Sequence, residues 1–177
     1  MLQMSDRQGA PFGMRYRRAM SILLWLAVST GLAVSLFTLV EELCLATACS
    51  DAASFTFFGF GLGWLGIVYF GFILLLLWLR QKYFLLNWVV AAMVFAGVGS
   101  EFRLLWIQKY IIGGWCPLCV SICCALFIAA ILLLIEKVQE AGSGADRGKD
   151  LLVLLAFVAT MIAVGLATAV VGVKALT

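Results

Sequence analysis

Long apolar runs separated by short charged segments constrain this chain more than any other feature. Ala19 to Val40 is a run of 22 residues without a charge. At 1.5 Å per helical residue such a run reaches roughly 33 Å, enough to cross a hydrocarbon core of ~30 Å. Further spans are expected at 63–79, 84–108, 116–135 and 151–173. Hydrophobic residues make up 65% of the chain and charged residues 12%. A soluble domain is about half apolar and about a quarter charged, so the excess belongs in lipid rather than in an aqueous core. Within lipid the backbone must satisfy its own hydrogen bonds, which leaves helices or a closed barrel. Runs of this length are helical, and the expectation is an all-α membrane protein. The polar segment 1–18, the outer loop 41–62 and the charged loop 136–150 frame the spans. The sequence contains no internal repeat and no stretch that reads as a soluble domain.

The basic residues are unevenly placed. Arg7, Arg15, Arg17 and Arg18 precede the first span, Arg80 and Lys82 follow the second, and Lys137, Arg147 and Lys149 separate the fourth from the fifth. The intervening loops hold Lys109 alone. Basic residues mark the cytoplasmic side of short loops. The N-terminus is therefore expected inside, with loop 41–62, residues 109–119 and the C-terminus outside. A net charge of +3 distributed in this way is an orientation signal, not a nucleic-acid footprint. Ala46-Thr47-Ala48 resembles a signal-peptide cleavage site. However, the first span exceeds the usual apolar region of about 7–15 residues, and Glu41 and Glu42 intervene. An uncleaved span is expected.

There are six cysteines and no histidine. Without histidine, His-ligated haem, His-containing zinc sites and Cys–His nucleophiles are excluded. Chemistry is left to sulfur or to a bound organic group. Cys44 and Cys49 lie in the outer loop, while Cys116-Pro117-Leu118-Cys119 opens the fourth span. Pro117 suits the first helical position, placing Cys116 near the N-cap and Cys119 in the first turn. Free N–H groups and the positive end of the helix stabilise negative charge on sulfur there. A bridge over so short a loop gains little closure entropy, so the pair reads as redox-active rather than as a staple. A relay needs one pair open to a partner and another beside the final acceptor, and two pairs on one side of the bilayer suit it. A closed zinc cage of four cysteines is the weaker alternative. The bland alternative is a membrane scaffold with structural disulfides and no redox turnover.

Other polar positions are expected to be structural. Cys123 and Cys124 read as small apolar thiols packed in span four, and Asn87 as a helix-packing contact. Glu101 and Arg103, near the outer end of span three, are expected to reach for the interface. The alternative is that one of them shapes a ligand pocket. Gly59, Gly61, Gly63 and Gly66 are expected to allow close helix approach. The apolar segment from Ser54 to Leu62 is expected to fold back over the helix ends as a lid.

These features together resemble the bacterial branch of the vitamin K epoxide reductase family. The residues that carry the resemblance are Cys44, Cys49, Ser54, Phe58-Gly59 and Trp115-Cys-Pro-Leu-Cys119, in a region covering about 19–135. The resemblance implies a four-helix transmembrane bundle around a quinone (ubiquinone or menaquinone), plus a fifth, peripheral transmembrane helix in 151–177. It further implies that Cys119 meets the quinone, that Cys49 attacks Cys116, and that Cys44 exchanges disulfides with a partner protein. Ser54 and Phe58 would lie at the quinone. Leu62 and Cys123 stand where animal members have Asn and Tyr, so quinone reduction is expected rather than vitamin K epoxide reduction. Many bacterial relatives carry a thioredoxin-like domain after span five. This chain ends at Thr177, and a separate thioredoxin-fold partner on the periplasmic side is expected. The expected activity is oxidation of that partner at the expense of quinone, supporting disulfide formation at the inner membrane.

Overall fold

A computed structural model describes residues 11–44, 55–57, 59–80, 82–83, 85–141 and 147–175; for 11–17, 41–44, 55, 140–141, 147 and 174–175 it describes the backbone alone. Helix α1 runs Pro11–Cys44, α2 Leu62–Leu79, α3 Leu85–Ile107, α4 Pro117–Ala141 and α5 Arg147–Gly172. Short strands β1 (Phe55–Phe57), β2 (Phe60–Gly61) and β3 (Val173–Ala175) complete the described elements. All five helices are long and apolar enough to cross a membrane. The chain is thus a helical, multi-pass membrane protein.

Several boundaries differ from the sequence reading, each for a local reason. Helix α1 begins at Pro11 rather than near residue 19, because proline fits a first helical turn and the arginines that follow are good helix formers. It also continues to Cys44, past the two glutamates. The third span does not stop at Gln108. It passes into a π-helical turn, Gln108–Ile112, and ends at Gly113, whose φ of 73° lies in the left-handed region that closes helices. Helix α4 extends to Ala141, beyond Ile135.

The helices pack as neighbours in two layers of contact. Helix α1 lies against α2 and α4, and α3 lies against α5, α4 and α2. Leu24, Phe70, Ile73, Leu77, Val90, Val94 and Leu133 form the fully buried centre. Large apolar side chains such as Leu26, Val68, Trp78, Ile131 and Val171 point outward. On a soluble protein this would be a liability, but it is the surface that lipid requires.

Small residues set the closest approaches. A Cβ on Gly165 of α5 would fall on the Ala96 backbone of α3, and one on Gly99 of α3 would fall on the Ile162 carbonyl of α5. The Ser100 hydroxyl donates across the same seam to the Gly165 carbonyl at 3.1 Å. Dispersion and interhelical hydrogen bonds of this kind hold helices together in lipid, where no hydrophobic force acts between them. Gly66 plays the equivalent part between α2 and α1, where an added Cβ would sit 2.6 Å from Ser35 Oγ. Most of α5 otherwise faces outward, with Leu154 and Ala169 buried.

The two ends of the molecule differ in chemistry. At one end, Arg80 of the α2 C-terminus reaches Glu136 of α4 at 3.5 Å and Asn87 of α3 at 3.3 Å. Beside this cluster the Lys137 ammonium lies 4.5 Å from the Trp88 ring centre. At the other end β1 pairs antiparallel with both β2 and β3, with Phe57 opposite Phe60 on one side and Val173 on the other. Gly59, with φ 87°, supplies the turn between β1 and β2 that a side chain would strain. The end of α5 is thereby tied to the apolar loop that precedes α2.

Replacing Gly165 with Leu should wedge α5 off α3. Thermal or denaturant unfolding in detergent should show a loss of at least the ~1–3 kcal/mol typical of an overpacked core. Unchanged stability would mean that the seam is not closely packed in the folded protein.

Candidate functional site

The helix of Cys116-Pro117-Leu118-Cys119 begins at Pro117, and the Val120 N–H donates to the Cys116 carbonyl at 3.1 Å. Cys116 is thus the residue immediately before the helix, and Cys119 lies one turn further in. The preceding chain arrives from the π-helical turn through Gly113 and Gly114. Cys116 is buried and disulfide-bonded, and the sulfur it is bonded to lies outside the described residues. Cys119, half-buried, is free. The two cysteines of the motif are therefore in different states, and the bond at Cys116 does not run to its neighbour.

Cys119 faces a cavity of about 410 Å³ at the strand-bearing end of the bundle. Every helix contributes to its wall. Helix α1 supplies Thr38, α2 supplies Gly66, Tyr69 and Phe70, and α3 supplies Met93, Gly97, Ser100, Glu101 and Leu104. Helix α4 adds Cys119, Ile122 and Leu126, while Ala169 of α5, Val173 of β3, Phe57 of β1 and Leu62 close the rest. A mostly apolar wall with a few polar groups is the usual character of a site for a small organic ligand, and the volume falls in the usual range of about 300–1,000 Å³.

Most polar groups of the wall are already committed. Thr38 donates to the Val34 carbonyl at 2.9 Å, Tyr69 to the Met93 carbonyl at 2.8 Å, and Ser100 to the carbonyls of Ala96 and Gly165 at 3.3 and 3.1 Å. The absence of a side chain at Gly97 admits the Tyr69 ring and hydroxyl against α3. Among the described residues of the wall, the polar side chains without a hydrogen bond to a carbonyl are Cys119 and Glu101. Glu101 has no hydrogen-bond or ion-pair partner among the described residues, and it is close enough to Tyr69, Cys119 and Cys123 for their charges to interact.

Gln108 was not singled out in the sequence. It is 4% exposed, stands at the first position of the π-helical turn, and lies close to Cys119, while its Oε1 is buried without a partner. A glutamine two turns after Glu101, just before a Gly-Gly turn into a CxxC, was the available signal. The π-helical turn that begins at Gln108 has no signature in the sequence, although such turns often mark functional positions.

The remaining expected residues divide clearly. Cys44 is the last residue of α1, and its side chain is outside the description; Cys49, Ser54 and Phe58 lie outside the described residues altogether. Phe57, beside Phe58, does reach the cavity wall. Glu101 lines the cavity instead of reaching for the interface. Arg103 turns away and places its guanidinium 4.7 Å from the Trp106 ring centre. Cys123 is buried, whereas Cys124 is exposed on the outer face of α4 along a second groove with Leu23, Thr30 and Ile128. Adjacent helical residues point about 100° apart, so one of two neighbouring cysteines faces lipid when the other is packed.

A thiol reagent applied to the protein without reductant should modify Cys119 and spare Cys116, and peptide mapping by mass spectrometry reads this directly. Equal protection of both cysteines, with a Cys116–Cys119 crosslink, would contradict the arrangement described. Comparison of the chain with protein-family models, with characterised proteins and with solved structures finds no match to any of them.

Proposed function

We propose that this chain is a membrane thiol–disulfide oxidoreductase that passes electrons from a protein dithiol to a quinone, as its resemblance to the bacterial vitamin K epoxide reductase family implies. The observation that carries the proposal is a free Cys119 on the wall of an apolar cavity, one helical turn from a Cys116 bonded elsewhere. A structural staple gives no reason to leave a thiol open on a ligand-sized cavity. A relay caught between its two pairs does. Cys44 and Cys49 are the sequence's remaining candidates for the sulfur joined to Cys116, and the resemblance selects Cys49.

The exchanges then balance as follows. A reduced thioredoxin-fold partner gives two electrons to the Cys44–Cys49 disulfide and leaves oxidised. The Cys49 thiolate attacks the Cys116 sulfur of a Cys116–Cys119 disulfide, forming Cys49–Cys116 and releasing Cys119. Cys44 attacks Cys49, restoring the loop disulfide and freeing Cys116. The dithiol of Cys116 and Cys119 is then reoxidised, and its two electrons and two protons convert quinone to quinol. Quinone supplies a two-electron acceptor soluble in the bilayer, and the size and apolar wall of the cavity suit its ring. The Gln108 side chain, close to Cys119, is placed to offset negative charge on that sulfur through its amide N–H.

In this reading α1 to α4 form the four-helix redox bundle, with α5 a peripheral fifth helix whose end helps close the cavity. The basic end lies in the cytoplasm, and the cysteines and C-terminus lie on the periplasmic or extracellular face of the inner (plasma) membrane. The resemblance assigns Ser54 and Phe58 to the quinone site as well.

Purified protein given a reduced thioredoxin-fold donor should reduce ubiquinone or menaquinone, and Cys119→Ala and Cys116→Ser should abolish turnover. Cys44→Ala should fail with the protein donor and still work with a small dithiol. Phe57→Ser should weaken quinone turnover by opening the cavity. A wild-type protein that reduces no quinone with any dithiol would leave a scaffold with structural disulfides.

A further inference from the structure

We propose that Glu101 is a catalytic residue that carries a proton between Cys119 and the quinone. This inference rests on the reading of the cavity as a quinone site and adds to it the acid–base group that the reaction needs. An ionisable residue inside a membrane span is costly and is retained facing a cavity or a partner. Glu101 faces the cavity and has neither a hydrogen-bond nor an ion-pair partner among the described residues. The cation nearest in sequence, Arg103, is directed at Trp106 instead.

Elimination within the wall leads to the same residue. Thr38, Tyr69 and Ser100 all direct their hydroxyl hydrogens to backbone carbonyls. Any of them would have to break a bond in a water-poor site before donating to a ligand. Among the described residues of the wall, Glu101 and Cys119 are the polar groups open to exchange a proton. Among the described residues, the titratable groups close enough to Glu101 for their charges to interact are Tyr69 of α2 and Cys119 and Cys123 of α4.

The balance is simple. Two thiols yield one disulfide, two electrons and two protons, and quinone takes up all four particles to become quinol. The Glu101 carboxylate accepts the Cys119 proton as that sulfur turns nucleophilic, then returns it to a quinone oxygen as negative charge grows there. The Cys116 thiol supplies the second proton, and Glu101 ends as it began.

The test compares wild type, Glu101→Gln and Glu101→Asp, all assayed for ubiquinone reduction with a small dithiol, so that the loop pair and the partner drop out. Glu101→Gln keeps the shape of the side chain and should lower kcat by about 10²-fold or more, the usual contribution of general acid–base catalysis. KM for quinone should change little, and Glu101→Asp should recover part of the rate. A second readout needs no quinone. The difference infrared spectrum between dithiol-reduced and oxidised protein should contain a carboxyl C=O band in wild type that Glu101→Gln lacks, because a thiol and its proton appear beside Glu101 when the disulfide opens. An active wild type with unchanged kcat in Glu101→Gln, or without that band, overturns the role of Glu101 alone. A wild type unable to reduce quinone overturns the cavity assignment with it.

Discussion

Hydrocarbon offers a backbone nothing to hydrogen-bond to, and the rest of this structure follows from that constraint. It forces the spans into helices and removes the hydrophobic force that would otherwise drive them together. What remains is close contact, and the chain obtains it with small residues. Gly99 and Gly165 bring α3 and α5 within backbone contact, and Ser100 crosses that seam to a carbonyl. Gly66 and Ser35 do the same for α2 and α1. Gly66 and Ser100 themselves line the cavity at the strand-bearing end, so these close contacts form part of its wall, and Phe57 of β1, which pairs with both β2 and β3, closes it from the loop side.

The chemistry takes its character from the same poverty of solvent. With water scarce, polar groups bond to the nearest carbonyls, and the hydroxyls of Thr38, Tyr69 and Ser100 all do so. Cys119 and Glu101 stand apart from that pattern. A sulfur and a carboxyl left open on one apolar wall are what coupled transfer of electrons and protons requires. Close to Cys119, the Oε1 of Gln108 is a further buried acceptor without a partner.

Much of this was legible in the sequence because membrane helices are written in long, simple patterns. Apolar length located all five spans, the proline located the start of α4, and cysteine spacing drew attention to Cys116 and Cys119. The parts that were not legible depend on side-chain direction or on unusual backbone. Helical periodicity alone could not decide whether Glu101 would turn inward or extend to the interface, since the charge sits about two turns from the helix end. The π-helical turn that opens at Gln108 carries no sequence signature, so the burial of Gln108 near Cys119 was hidden. The pairing of β3 with β1 joins segments more than a hundred residues apart through backbone groups, which carry no sequence signal.

The central claim is that the sulfur bridge at Cys116 is a working intermediate and not a brace. Titration of that bridge against defined glutathione or dithiothreitol ratios, read by mass-spectrometric mapping of Cys116, tests this most directly. A relay requires the Cys116 bond to exchange with added thiols, at a potential above the roughly −300 mV below which structural disulfides usually lie. A bond that stays closed below that value, with Cys119 inert beside it, would contradict the account.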